Sequence, residues 1–272
     1  MAVDSSQLAI LNTQLTSGIA AQIIADLWAD GLYARNGKGQ KVPHLATSWT
    51  VSDDQLTYTF KLRSGVKWSD GTPFTAADAV FTLQRLAPLN TYMAAVLPKV
   101  EAAEAPDATT FVVRLKSPVA AMLEVFNKET FPILPKHIYE NGEPAANPAN
   151  RNPVGLGPFK LQSWEQGRQL VFVRNENFWD QPKPYLDSVV VALIPSPQQQ
   201  VNALIRGEVD WAVIPFSQVQ RAREAAKDGK IDVRRIPFSS PARLSMDFNL
   251  RQPPFDNVKV RQAFFMATDR KQ

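Results

Sequence analysis

The chain has no cysteine. That excludes disulfide staples, a thiolate nucleophile and a cysteine-ligated metal. It is compatible with export from the cytoplasm and does not require it. Histidine is scarce as well. His44 and His137 are the only two, about ninety residues apart, and each reads as a surface or packed residue rather than a catalytic base or ligand. No serine sits in a nucleophile-elbow pattern. Lys38, between Gly37 and Gly39, lacks the spacing and the following Ser/Thr of a phosphate-binding loop. Asp53-Asp54 has no third acidic residue nearby and reads as a turn before a strand, not a metal site. No catalytic residue, metal ligand or cofactor is therefore expected. No apolar run reaches the ~18 residues of a membrane span. Met1-Ala2-Val3-Asp4 runs directly into polar sequence without a leader pattern. Two readings fit: a cytoplasmic protein, or an exported one whose leader was removed.

What is present points to a folded binder. Hydrophobic residues make up 44% and aromatics 10% of the 272 residues, enough for a core and inconsistent with disorder. Twenty-one prolines and 12 glycines imply many turns. The net charge is +4, and residues 217–272 carry 12 Lys/Arg against 6 Asp/Glu. Those cations are scattered among apolar positions, so they read as a solvated face and no nucleic-acid partner is expected. The six tryptophans lie in element-rich sequence, and most are expected in the core.

The most informative stretch is Asp53 to Ala87. Leu56, Tyr58, Phe60 and Leu62 alternate with Thr57, Thr59, Lys61 and Arg63, the period of a half-buried strand. Ser69-Asp70-Gly71 is a turn. Thr75 precedes Asp78 by three residues, the spacing of a helix N-cap, and Ala76, Val80, Leu83 and Ala87 follow on one helical face. Asp70, Gly71, Thr75 and Asp78 are thus structural expectations. Upstream, Ser17 is placed to cap a helix through Ile19–Ala29 that buries Ala20, Ile23, Ile24 and Leu27 and stops at Gly31. Leu32–Arg35 reads as a strand running into a tight turn at Asn36-Gly37.

Downstream, 111–116 is a strand, Pro118–Phe126 a helix and Lys136–Glu140 a short helix. Residues 141–158, rich in Asn, Pro and Gly, read as a linker. Phe159–Trp164 and Gln169–Arg174 form a hairpin around Gln166-Gly167. Ser188–Ile194 has the continuous apolar character of a strand buried on both faces. Ser196-Pro197 begins a helix closed by Gly207. Val209–Ile214 and Ile231–Ile236 are strands, with a helix from Ser217 between them. This β-α-β-α-β order predicts a mixed α/β layer. Leu244, Met246 and Phe248 alternate in a further strand, and Asp256 or Asn257 caps a last helix. That helix stops at Gln272 without a C-cap, and the expectation is a chain cut short at its C-terminus.

Several segments, in order, resemble the family 5 solute-binding proteins of ABC importers. They are Pro43–Trp49, Tyr58–Asp78, Pro153-Val-Gly-Leu-Gly-Pro-Phe159, Arg174-Asn-Glu-Asn-Phe-Trp179, Ala203–Trp211, and Phe248–Phe255 with Val260–Ala263 and Asp269-Arg270. The resemblance implies an α/β, periplasmic binding protein-like class II fold: a mixed sheet with flanking helices and an inserted α+β subdomain in lobe I. It maps lobe I to 1–48 and 160–249, the insert to 49–159, and the first helix of lobe II to 250–272, with the remaining ~200 residues of a second lobe downstream. It implies a non-enzymatic binder, a monomer when full length, that captures a small solute, most commonly a peptide, outside the cytoplasm and hands it to ABC permease subunits. Localisation would be periplasmic or extracellular and membrane-anchored. Nickel complexes, opines and oligosaccharides are alternative ligands, and a ligand-sensing domain of a regulator is an alternative role. The implied ligand-facing positions are Ser17, Gly18, Ile19, Gln22, Tyr92, Met93 and Phe131.

Overall fold

The structure, a computed structural model, describes residues 1–4, 8–90, 93, 95–120, 122–234 and 248–268. It divides into two compact units, Met1–Arg235 and Ile236–Gln272.

The first unit is organised by two four-stranded sheets. One has the order β1-β10-β9-β8, from β1 (Ala2–Val3), β8 (Phe159–Glu165), β9 (Gln169–Arg174) and β10 (Ser188–Leu193). β1 runs parallel to β10 and the other pairs are antiparallel, so the sheet is mixed and joins both flanks of the sequence. The second sheet is antiparallel, in the order β4-β5-β7-β6. It is built from β4 (Ala46–Val51), β5 (Thr57–Leu62), β6 (Val100–Asp107) and β7 (Thr110–Leu115). A small ribbon, β2 (Tyr33–Arg35) with β3 (Lys41–Pro43), lies between them in sequence. The α-helices of this unit are α1 (Ile19–Trp28), α2 (Ala76–Phe81), α3 (Lys136–Tyr139), α4 (Pro197–Ile205) and α5 (Val219–Lys227).

Asp53 to Ala87 folds as its pattern predicts. Tyr58, Phe60 and Leu62 are buried along β5 while Lys61 is exposed. Phe60, Phe111, Phe126 and Phe131 form a cluster with ring centroids 5.1–6.1 Å apart, each contact adding about 0.5–1.5 kcal/mol beyond burial. Asp78 is buried, and its carboxylate accepts the backbone N–H of Thr75 at 2.9 Å and of Lys136, also at 2.9 Å. It therefore caps α2 and ties the start of α3 to it. The helix continues through a π turn, Thr82–Leu86, and a 3₁₀ turn, Ala87–Leu89.

Several expectations are corrected. α1 fully buries Ala21, Ile24, Ala25 and Trp28, with Ala20, Ile23 and Leu27 only partly buried. The face is rotated because Trp28, the largest side chain on the helix, takes the interior. The segment 141–158 is no loose linker: Asn150 and Leu156 are buried, and Gly157 N–H donates to the Trp28 carbonyl at 2.8 Å. Within 118–126 the described helical turn is 3₁₀ and covers only Met122–Phe126, where the Glu124 carboxylate is held by Arg35 and Lys41 of the ribbon. β10 is buried on one face, through Val191 and Leu193, while Val190 is 45% exposed. On the other face, Ala203 and Leu204 of α4 cluster with Ala2, Ala192, Ile194 and Ala212. Among the described residues, Val209–Ile214 pairs only through Ala212, by an isolated bridge to Ala2. Its partner here, β1, is two residues long, and Pro215, which has no N–H to donate to a ladder, follows. Trp211 is accordingly 43% exposed. α5 begins at Val219 after a 3₁₀ turn containing Ser217, which makes no cap. Residues 231–234 form no strand, and Leu244 and Met246 lie outside the described residues. Ser196 caps α4 as expected, accepting from Gln199 N–H at 3.4 Å.

In the second unit, Asn257 caps α6 (Val258–Ala267), its side-chain oxygen accepting Lys259 N–H at 2.9 Å. Phe248, Phe255 and Phe264 pack on one another with centroids 4.6–5.6 Å apart.

Candidate functional site

The segment leading into α1 is polar, uncharged and held rigidly from beneath. Asn12 and Gln14 are buried. Asn12 donates to Asn150 at 2.8 Å and to the Tyr139 hydroxyl at 3.3 Å, and that hydroxyl donates to Asn150 at 3.1 Å. Leu11 N–H donates to the Asn150 carbonyl at 2.7 Å. Gln14 donates to the Pro132 carbonyl at 3.1 Å and accepts from Asn90 at 3.0 Å. Buried amides satisfied this fully act as fixed joints, since breaking one leaves a partner unpaired in a low-dielectric interior. Burial also pushes the Tyr139 phenol well above its usual range, against the pull of its bond with Asn12, so it stays a neutral donor.

On this base the chain turns into α1. Thr16 Oγ1 accepts Gly18 N–H at 3.2 Å, and Gly18 is the N-cap residue, in extended geometry and with no side-chain cap. Ser17, expected as the cap, is exposed and one position too early for that role. Its carbonyl accepts from Gln22 Nε2 at 3.4 Å. Ile19 is 74% exposed. Ser17, Gly18, Ile19 and Gln22 therefore form one small surface: an apolar side chain, an amide, a hydroxyl and a helix start whose first N–H groups have no intrahelical acceptor. The first charged side chain beyond it, Asp26, pairs with Lys128 at 2.6 Å.

The remaining expected positions differ. Gln14 draws their segments to the α1 entry through Asn90, near Met93, and Pro132, next to Phe131. Met93 and Phe131 themselves are 0% exposed and belong to the hydrophobic core. As placed they offer no surface to a ligand, because the hydrophobic core takes up both. Tyr92 lies outside the described residues. Sequence reasoning missed Asn12, Gln14, Asn90 and Asn150. Polar side chains in a loop-like stretch read as solvated, and only their burial distinguishes them.

Both histidines are engaged by carboxylates: His44 Nδ1 with the buried Asp30, and His137 Nε2 with Asp70 at 2.8 Å. Among the described residues, no three His, Asp or Glu side chains are grouped to hold a metal.

Residues 40–272 match the bacterial extracellular solute-binding proteins, family 5 Middle. A probable peptide ABC transporter periplasmic-binding protein of Sinorhizobium fredii is 29% identical over 97% of this chain and 51% of its own length. The glutathione-binding protein GsiB of Escherichia coli O1:K1 is 33% identical over 92% of this chain and 48% of its own. Among solved structures, NikZ from Campylobacter jejuni in complex with Ni(L-His) superposes with a TM-score of 0.77 at 26% identity, covering 98% of this chain and 52% of that one. The chain spans about half the length of the curated relatives it matches. It belongs to the family 5 bacterial extracellular solute-binding proteins.

Proposed function

We propose that this chain is part of the substrate-binding component of an ABC importer, which captures a small solute outside the cytoplasm and delivers it to a membrane permease without chemical change. The match of residues 40–272 to a solute-binding family carries this reading. The relative from S. fredii is named a probable peptide ABC transporter periplasmic-binding protein, and peptide is the solute class proposed. The surface formed by Ser17, Gly18, Ile19 and Gln22 is the proposed ligand-contact segment of the first lobe. It has hydrogen-bonding groups for a peptide backbone, an apolar side chain for its residues, and no charge to repel either terminus. Residues 1–48 with 160–249 are read as that lobe, 49–159 as its insert and 250–272 as the start of a second lobe. The mixed sheet drawing strands from both sequence flanks supports the first two assignments.

The test is native mass spectrometry of the protein extended to the length of its relatives and purified without refolding. A co-purifying peptide would support the reading. A ligand of another class would redirect it, and a Ni(L-His)-like complex would favour the second reading, a non-peptide solute, motivated by the ligand of the C. jejuni structure. Absence of any ligand, together with no stabilisation by a peptide library, would overturn the peptide assignment.

A further inference from the structure

An open concavity of about 320 Å³ is lined by Thr47, Arg63, Ser64, Gly65, Val66 and Trp179. It sits beside Asp30 and His44, just beyond the C-terminal end of α1: Trp179 Nε1 donates to Asp30 Oδ2 at 3.0 Å, and its ring meets His44 edge-on at 5.0 Å. α1 has 10 residues and so separates this place from Ser17 by about 15 Å. The feature is independent of the proposed solute surface.

Arg63 is the centre of the concavity. Its guanidinium lies over the Trp179 ring at 4.1 Å, and its Nε donates to the His44 carbonyl at 2.6 Å. These two contacts fix the plane of the fork. Among the described residues no carboxylate pairs with Arg63, and its two terminal nitrogens donate to none of them. Asp30, the acid of this cluster, is already occupied by Gly31 N–H at 2.7 Å, by His44 and by Trp179. The chain then turns through Gly65 at φ +73°. The N–H groups of Ser64, Gly65 and Val66 donate to no described residue either. Successive free amides around a left-handed residue form the kind of concave cradle that binds anions. Thr47, at a bulge in β4, adds a hydroxyl, at present donating to the Lys61 carbonyl at 3.0 Å.

We propose that this concavity is an oxyanion-binding site, with Arg63 as the bidentate donor, the 64–66 amides as the cradle and Trp179 as the platform that holds the guanidinium in place. A planar fork pre-set by stacking matches two oxygens of a carboxylate or a phosphate and loses little side-chain freedom on binding. The groups of the cradle are neutral or cationic, so divalent cations are not its ligands.

The test uses the isotopically labelled 272-residue chain, titrated separately with inorganic phosphate and with acetate at ionic strength held constant by chloride. The site predicts saturable shifts in the Arg63 side-chain signal and in the Gly65 and Val66 amides, with the Ile19 and Gln22 amides unmoved. Saturation by phosphate alone identifies a tetrahedral oxyanion, and saturation by acetate alone a carboxylate. Arg63→Lys, which keeps the charge but loses the fork, should weaken binding about tenfold. Thr47→Val, which leaves Arg63 and its stacking intact, should weaken it about two- to fivefold and guards against a folding defect in the first variant. Absence of saturation with both anions, or equal affinity in a folded Arg63→Lys protein, overturns the proposal.

Discussion

Gly155 and Trp28 are packed backbone to backbone: a methyl group on Gly155 would lie 1.9 Å from the Trp28 carbonyl oxygen. On its other side, Gly155 exchanges hydrogen bonds with Ser69, accepting from its N–H at 2.9 Å and donating to its hydroxyl at 3.2 Å. The glycine-rich segment after residue 152 is thus clamped between the end of α1 and the Ser69-Asp70-Gly71 turn. Neither neighbour is a flexible side chain that could yield.

Gly155→Ala should therefore cost about 2–4 kcal/mol in urea unfolding. Gly157→Ala should fall in the same range, since its Cβ would lie 2.6 Å from the Trp28 carbonyl carbon. Gly37→Ala, with nothing within 4 Å of its added Cβ, should stay within about 0.5 kcal/mol of wild type. Equal effects at all three positions would remove the clamp.

Asp78→Ala should cost about 2–3 kcal/mol, more than a single lost cap, because it orphans the N–H of both Thr75 and Lys136. Asp78→Asn keeps one acceptor oxygen and should cost about half of that. Burial raises the Asp78 pKa, with the bonds from Thr75 and Lys136 opposing the rise. The contribution of a raised carboxyl is full below the ordinary carboxylate range near pH 4 and is lost as pH rises through its folded value. The stability difference between wild type and Asp78→Asn should shift in that direction across the window, as followed by denaturant midpoints.

Asp70 behaves oppositely. Partial burial tends to raise its pKa, but hydrogen bonds from His137 and Thr72 prevail and lower it. Its contribution is present above about pH 4 and is lost as pH falls through the lowered folded value. Asp70→Asn should thus cost less than about 1 kcal/mol at pH 7, given its exposure, and the cost should disappear in strong acid. A cost that grew as pH fell would contradict the pairing.

Ile19→Ser and Gln22→Ala should leave thermal stability within about 0.5 kcal/mol, since Ile19 is exposed and Gln22 makes one long side-chain bond. In the protein extended to the length of its relatives they should weaken solute binding about tenfold. Phe131→Ala should do the reverse, costing about 3–5 kcal/mol by opening a core cavity. A binding loss confined to Phe131→Ala, at unchanged stability, would move the contact surface away from α1.

Much of the fold was legible because its signals are local. The alternation through β5, the Asp78 spacing at α2 and the Ser196-Pro197 start of α4 need only neighbours a few residues away, and each is where its pattern puts it. The family was legible for the same reason, since its motifs are these local devices in a fixed order. Partnership at a distance was not legible. The sequence could not say that Asn12 meets Asn150, that Trp28 rather than Ala20 faces the interior, or that Ala212 would bridge to Ala2 at the far end of the chain. It could not separate Ile19, left in solvent, from Met93 and Phe131, taken into the core. Periodicity fixes which side chains share a face. Whether that face meets solvent, a sheet or another loop depends on packing between segments far apart in the chain, and that only the tertiary structure decides.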